Sequence, residues 1–280
     1  MNRDERVALV TGASSGFGML TSIALAKNGY YVIATMRDPA KQSPLLALAE
    51  GAGIEQRLEI MQVDVTVHES IDRAVGEVIR KHGRIDVLVN NAGYAIGGYV
   101  EDVPMEAWKE QLETNVFGVI AAAKAVLPHM RAQASGCIIN LSSVSGLTAY
   151  PGFAPYSTSK FAIEGFSESL RLEMKPYGVR VVLVEPGAYR TDIWSKGFAG
   201  VYTTEASPYW SRLSKLLQMV KQTAGSAPDP QEVADAIVSI AGRSRPKLRY
   251  PLGRGVRLGL WSRSLLPWKW YEAVVLRMLR

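Results

Sequence analysis

The chain has a single cysteine, no long uncharged apolar run and no histidine cluster, and each shortage closes off a class of protein. Cys137, being alone, cannot form an intramolecular disulfide, so the fold rests on its core, and a reducing compartment is permitted. No stretch of about 18 uncharged apolar residues occurs, which argues against a transmembrane helix. His68, His82 and His129 are scattered without ligand spacing, so no metal site is expected. Internal repeats and low-complexity segments are missing too. The opening Met-Asn-Arg-Asp-Glu-Arg is charged and precedes only a short apolar run. No secretory signal is expected there, and the expected location is cytoplasmic.

What is present is enough for a large core: 280 residues, 48% of them hydrophobic, a length that suits one α/β domain. Near-continuous Val/Ile/Leu runs at 7–10, 31–35, 58–63, 87–89, 137–141 and 179–184 read as strands buried on both faces. Helical patterns at 18–28, 70–81 and 155–175 alternate with them, which predicts right-handed βαβ units and a Rossmann-type doubly wound parallel sheet. Residues 223–230 read as a loop, with Asp229 starting a helix over 231–240. Charge is uneven: from Arg243 onward there are ten Lys/Arg and one acid, Glu272, against a net charge of +6 for the whole chain. The remainder is therefore slightly acidic, and a nucleic-acid partner is not expected.

Val7-Ala-Leu-Val-Thr-Gly-Ala-Ser-Ser-Gly-Phe-Gly places three glycines between a strand and a helix. Gly12 permits a tight turn, Gly16 the approach of backbone to a pyrophosphate, and Gly18 close packing, while the helix N-terminus faces the anion. Farther on stand Asn90-Asn91-Ala92-Gly93, Asn115, Ser143 and Tyr156-x3-Lys160. Taken in this order, from about residue 6 to 240, the motifs resemble those of the short-chain dehydrogenases/reductases. The resemblance implies a nicotinamide cofactor held by Gly12, Ser14, Ser15, Gly16, Phe17, Gly18, Asp64, Val65, Asn91, Ala92, Gly93, Pro186, Gly187 and Thr191, with Tyr156 and Lys160. It implies adenine contact at Asp64, adenosine ribose near Asn90, and Thr191 touching the carboxamide or diphosphate. The second strand ends Ala34-Thr35-Met36-Arg37, an ending similar to that of NADP-preferring members, in which Arg37 and Ser15 would hold the 2′-phosphate. Asp38 complicates this, since it could pair with Arg37 or turn toward the ribose.

Tyr156 and Lys160, four apart in a helical pattern, project from one face a turn apart. A free tyrosine titrates near ~10, and bringing it to ~7 takes roughly 4 kcal/mol of phenolate stabilisation, which a neighbouring ammonium can provide. Tyr156 is then the expected general acid/base. By the resemblance Ser143 hydrogen-bonds the substrate oxygen, with Ser142 its competitor; Lys160 also holds the nicotinamide ribose, and Asn115 anchors water in a proton relay unless it is a structural amide. The family likeness further implies a homo-oligomer built on outer helices.

Residues 188–225 resemble the family's substrate-covering segment. Trp194, Phe198, Tyr202, Tyr209, Trp210 and Met219 there, with Tyr94, Tyr150 and Phe153, suit a lipophilic ketone, aldehyde or alcohol, although core packing accounts for many of them equally well. A nucleotide-sensing module or a sugar-nucleotide epimerase/dehydratase are the rival readings. The expected division is a dehydrogenase domain over 1–252 and a basic amphipathic extension over 253–280. In that extension Trp261, Trp268, Trp270 and several leucines interleave with arginines, broken near Pro267. It either meets an anionic membrane surface or packs over the pocket or a partner subunit.

Overall fold

The computed structural model describes residues 5–191, 200–225 and 227–278. Its strands are β1 (Arg6–Val10), β2 (Tyr30–Met36), β3 (Leu58–Gln62), β4 (Val87–Asn90), β5 (Gly136–Leu141), β6 (Val179–Pro186) and β7 (Arg249–Leu252). The helices are α1 (Gly16–Lys27), α2 (Ser43–Ala52), α3 (His68–His82), α4 (Met105–Leu112), α5 (Gly118–Ala132), α6 (Ala154–Met174), α7 (Trp210–Gly225), α8 (Gln231–Ala241), α9 (Val256–Leu265) and α10 (Trp268–Met278). All seven strands pair in parallel in the order β3-β2-β1-β4-β5-β6-β7, the doubly wound single domain that the strand–helix alternation predicts.

Alternation of side chains along β1 explains why its whole run is apolar. Ala8 and Val10 enter one core with Ile23 and Leu25 of α1 and Val233 and Ile237 of α8. Val7 and Leu9 enter the other with Ile71, Val75 and Val78 of α3 and Val126 and Met130 of α5. With both faces covered, no position from Val7 to Val10 favours a polar residue. The order of strands reverses between β1 and β4, which opens a crevice beyond their C-terminal ends.

Three features depart from the sequence expectation. Strand β7 has no apolar run, because Arg-Tyr-Pro-Leu is an edge strand of half-buried residues, where Pro251 is tolerated. Helix α7 continues to Gly225, past the loop expected from 223. Between α4 and α5 the chain makes a π-helical turn, Glu113–Phe117, containing Asn115. Asp229 does what its position suggested: its Oδ1 accepts the Gln231 N–H at 2.9 Å at the start of α8.

Candidate active site

The glycine loop leaves β1 at Thr11 and enters α1 at Gly16. Gly12 and Gly16 have φ of +69° and +56°, which glycine adopts without strain. A Cβ on Gly12 would lie 2.8 Å from the Ala92 Cα, and one on Gly18 only 2.4 Å from both the Gly12 carbonyl oxygen and Asn91 Nδ2. Gly16 instead meets nothing nearer than Thr191 at 3.8 Å, so backbone can approach a ligand there. Phe17 packs edge-on against Tyr189 at 5.6 Å between centroids. Residues 12–16 also spell Gly-x-Ser-x-Gly, but no histidine is at hand to activate Ser14. His68 sits 3.6 Å from Glu113, and His82 lies 3.8 Å from Glu59.

A residue the sequence reading passed over ties this loop to β4. Thr11 Oγ1 accepts the N–H groups of both Asn91 and Ala92 at 3.0 Å. Asn91 returns the bond, its Nδ2 donating to the carbonyls of Thr11 (2.9 Å) and Gly12 (3.0 Å). The Asn91 amide therefore braces the loop. Asn90, expected near the ribose, points its side chain into the sheet and donates to Asn140 Oδ1 at 2.9 Å. At the end of β3, Asp64 Oδ1 accepts from the N–H (3.0 Å) and Oγ1 (2.8 Å) of Thr66, a local turn. Val65 is buried against Gly118, where a Cβ would come within 2.9 Å of it.

Arg37 is exposed just beyond β2. Asp38 turns away to accept the Ala40 N–H at 3.0 Å and to face Lys41 at 3.8 Å. Among the described residues no carboxylate lies within ion-pair distance of Arg37.

The catalytic candidates converge at the C-terminal edge of β5 and β6. Ser143 follows β5, is buried, accepts the Ser145 N–H at 3.1 Å and donates to the Pro186 carbonyl at 3.4 Å. Its hydroxyl is near enough to the Tyr156 phenol, on the first turns of α6, to favour the phenol's charged form. Ser142 faces Glu164 instead. Lys160, buried one turn after Tyr156, places Nζ 5.6 Å from the phenol ring centroid and donates to the Leu141 carbonyl at 2.7 Å.

The expected lowering of the Tyr156 pKa toward neutrality is not found. Burial raises the phenol above its ordinary value, and only the neighbouring Ser143 hydroxyl opposes this. The ammonium of Lys160 is turned to the Leu141 carbonyl and is itself disfavoured by burial, which brings its pKa down to about 8 while Glu164 works the other way. Asn115 is similarly committed: its Oδ1 accepts the Tyr94 N–H (3.1 Å), and Nδ2 donates to the Tyr94 carbonyl (2.9 Å) and Ser159 Oγ (3.1 Å). Ser159 in turn donates to the Tyr156 carbonyl at 2.7 Å. The Asn115 side chain thus links the π-helical turn to α6. Gly93 sits against it, a Cβ there lying 3.0 Å from Oδ1.

A carboxylate cluster, buried at Glu164 and Glu185 and exposed at Glu168, gathers around Arg249, and no local pattern announces it. Arg249 of β7 places Nε 2.9 Å from Glu164 Oε2 and 3.2 Å from Glu185 Oε1, and Nη2 2.6 Å from Glu168 Oε1. Glu185 is fully buried, and desolvation together with the neighbouring Glu164 pushes its pKa up to about 8. Next to it, Pro186 ends β6, and Gly187 donates to the Leu252 carbonyl at 2.9 Å. Gly187 can carry no side chain because a Cβ would lie 2.6 Å from Val256 Cγ2.

Of the covering segment, Tyr202 packs against Ile96, Val103 and Ala107, and Tyr209 stacks on Tyr99 at 4.5 Å. Trp194 and Phe198 lie outside the described residues. A cleft of about 930 Å³ at the opposite end of the sheet holds none of the catalytic candidates. Its arginines have structural partners: Arg171 donates to the carbonyls of Val181 (2.6 Å) and Pro246 (2.8 Å), and Arg84 pairs with Asp86 at 2.7 Å.

Residues 6–200 match the family model described as short chain dehydrogenase. An uncharacterised oxidoreductase of Bacillus subtilis, YusZ, is 46% identical over 99% of both chains. A 3-ketodihydrosphingosine reductase of Bacteroides thetaiotaomicron is 37% identical over 94% of this chain and 93% of its own. A solved short-chain dehydrogenase from Streptomyces avermitilis superposes with a TM-score of 0.82 at 35% identity, covering 94% of this chain and 93% of that one. Solved structures bearing either nicotinamide cofactor are similar as well. A metagenomic short-chain oxidoreductase with NADP is 27% identical (TM-score 0.70, covering 90% and 98%), and an NAD+-bound xylitol dehydrogenase 28% identical (TM-score 0.74, covering 89% and 97%). By fold, motif order and these likenesses, the chain belongs to the short-chain dehydrogenase/reductase family of oxidoreductases.

Proposed function

We propose that this oxidoreductase reduces a lipophilic ketone or aldehyde, or oxidises the corresponding alcohol, with NADP(H) preferred over NAD(H). The observation that carries the reading is the meeting of the Ser143 hydroxyl and the Tyr156 phenol at the sheet edge, with Lys160 one turn along α6. The cofactor fits the residues present: the loop at Gly12, Gly16 and Gly18 forms a cradle that side chains would obstruct or strain, and Arg37 stands exposed where a 2′-phosphate would fall. When bound, the cofactor would supply the hydride for reduction as NADPH and take it up in oxidation as NADP+.

The chain's own residues handle the proton. A substrate oxygen between Ser143 Oγ and Tyr156 Oη receives two donors as negative charge grows on it. Tyr156, held protonated by burial, gives up its proton to that oxygen. Lys160, fixed by Leu141, favours the phenolate left behind. Alcohol oxidation runs the same transfer backwards and needs the phenolate first. Reduction should therefore stay level across neutral pH, while oxidation climbs into the alkaline range.

The partly buried Tyr94 and Phe153 and the exposed Tyr150 lie near the motifs and suit an apolar substrate, and the similarity to a 3-ketodihydrosphingosine reductase points the same way. A screen of ketones and alcohols of graded chain length, followed by nicotinamide absorbance with each cofactor, tests the reading. Faster turnover of long apolar carbonyls with NADPH is expected. Equal kcat/KM with NADH, or no NADPH oxidation with any carbonyl, overturns it. We also infer a homo-oligomer: Phe161, Gly165 and Leu172 share one face of α6, with Phe161 and Leu172 exposed and open space above Gly165.

A further inference from the structure

Helix α9 is an anomaly in a folded chain, since none of its ten residues is buried. Leu258, Trp261 and Leu265, at spacing i, i+3, i+7, form one stripe and are 68%, 63% and 62% exposed. On α10, Trp270 and Val274 are 64% and 55% exposed and share a face with Arg277, while Trp268 is exposed too. A ten-residue helix is marginal alone, and clustered exposed aromatics and leucines mark a surface that meets something.

The charge around these stripes is of one sign. Arg254, Arg257, Arg263, Lys269 and Arg277 stand against Glu272 alone over residues 253–278. Arg263 lies over the rings of Trp268 (4.8 Å) and Tyr271 (4.6 Å). Tryptophan and leucine projecting among arginines fit the headgroup layer of an anionic bilayer, where the rings enter the acyl boundary and the cations meet phosphate. A two-fold contact with a second copy would instead set like charges against each other. Among the described residues no helix is long and apolar enough to cross a membrane, so such a segment lies on the surface.

The same helices are tied to the mouth of the site. Val256, opening α9, presses on Gly187. Val275 of α10 packs in the cluster of Leu213, Leu216 and Phe153, and the Tyr271 hydroxyl reaches the Ala149 carbonyl at 3.5 Å. We propose that α9 and α10 form a docking surface for anionic lipid bilayers and seat the opening of the candidate active site against the membrane. Lipid binding is read without turnover, so it stands or falls independently of the proposed reaction.

The test is flotation of the full chain with vesicles of phosphatidylcholine alone or with about 30 mol% phosphatidylglycerol, at low and high salt. Binding to the anionic vesicles at least ~10-fold above the neutral ones, weakened by salt, is expected. The triple variant Leu258→Ser, Trp261→Ser, Leu265→Ser should lose at least ~10-fold of it while soluble-carbonyl turnover stays within about twofold, and Arg254→Glu with Arg257→Glu should weaken binding on charge alone. Three results overturn the proposal: no flotation of the intact chain at low salt, undiminished binding by the triple variant, or a lipid-free oligomer that the triple variant dissociates, which would assign the stripe to a second copy.

Discussion

Burial raises the pKa of both Tyr156 and Glu185, with a different consequence for each. For Tyr156 it keeps the phenol protonated, as a proton donor requires. Replacing it with Phe preserves the ring and removes the proton, so cofactor affinity should survive while turnover falls ~10²–10⁴-fold; stopped-flow turnover beside cofactor titration decides this, and near-native turnover would end its role as acid. Glu185 is a matter of stability. Unfolded, it releases its proton near 4.5, and folded only near 8. Between those values the native state holds the extra proton, so stability falls as pH rises, by at most about 1.4 kcal/mol per pH unit. Glu185→Gln should flatten that slope in urea titrations; an unchanged slope would place the titrating group elsewhere. At the end of β2, Met36→Asp should shift kcat/KM from NADPH toward NADH, because a carboxylate accepts from a 2′-hydroxyl and repels a phosphate.

At the scale of elements, the loop between β1 and α1 is the most constrained piece. Gly18→Ala would drive a methyl onto the Gly12 carbonyl and the Asn91 amide, both 2.4 Å from the new carbon. Backbone cannot retreat far, so a loss of about 1–3 kcal/mol in stability, together with weakened nucleotide binding, is expected from thermal melts with and without NADP(H). The glycine spacing was legible in the sequence because tight turns and helix starts are local. Thr11 was not legible, since its two acceptor bonds come from 80 and 81 residues away. The π-helical turn was equally hidden, because its Asn115 contacts are to Tyr94 and to Ser159 of another helix.

For the whole molecule, the C-terminal segment joins parts that lie far apart in sequence. Arg249 reaches Glu164 and Glu185, and Val256, Tyr271 and Val275 close over Gly187, Ala149 and Leu213. Truncation after Leu252 should therefore lower kcat/KM for a soluble carbonyl by at least ~10-fold, through loss of positioning at Gly187 and the α7 cluster. Retention of native turnover would make the segment dispensable to catalysis. Phe161→Glu should move the chain toward monomer in light scattering, as a charge on a buried contact face opposes association.

By itself the sequence determined the alternation of strand and helix, the placement of three glycines at a helix start, and the common face of Tyr156 and Lys160. Each depends on backbone geometry within a few residues, where period and steric rules act directly. Only the tertiary structure decided which groups lose water and which partners they meet there. The helix period sets Lys160 one turn from Tyr156, and the fold adds the Leu141 carbonyl of β5 that holds its ammonium. Asn115 was legible either as a water anchor or as a structural amide, and the fold sets its amide between Tyr94 and Ser159. The arginine that faces the buried glutamates arrives from an edge strand with no apolar signature. Desolvation and long-range pairing depend on which surfaces come together, and that is a property of the packed chain rather than of any short stretch of it.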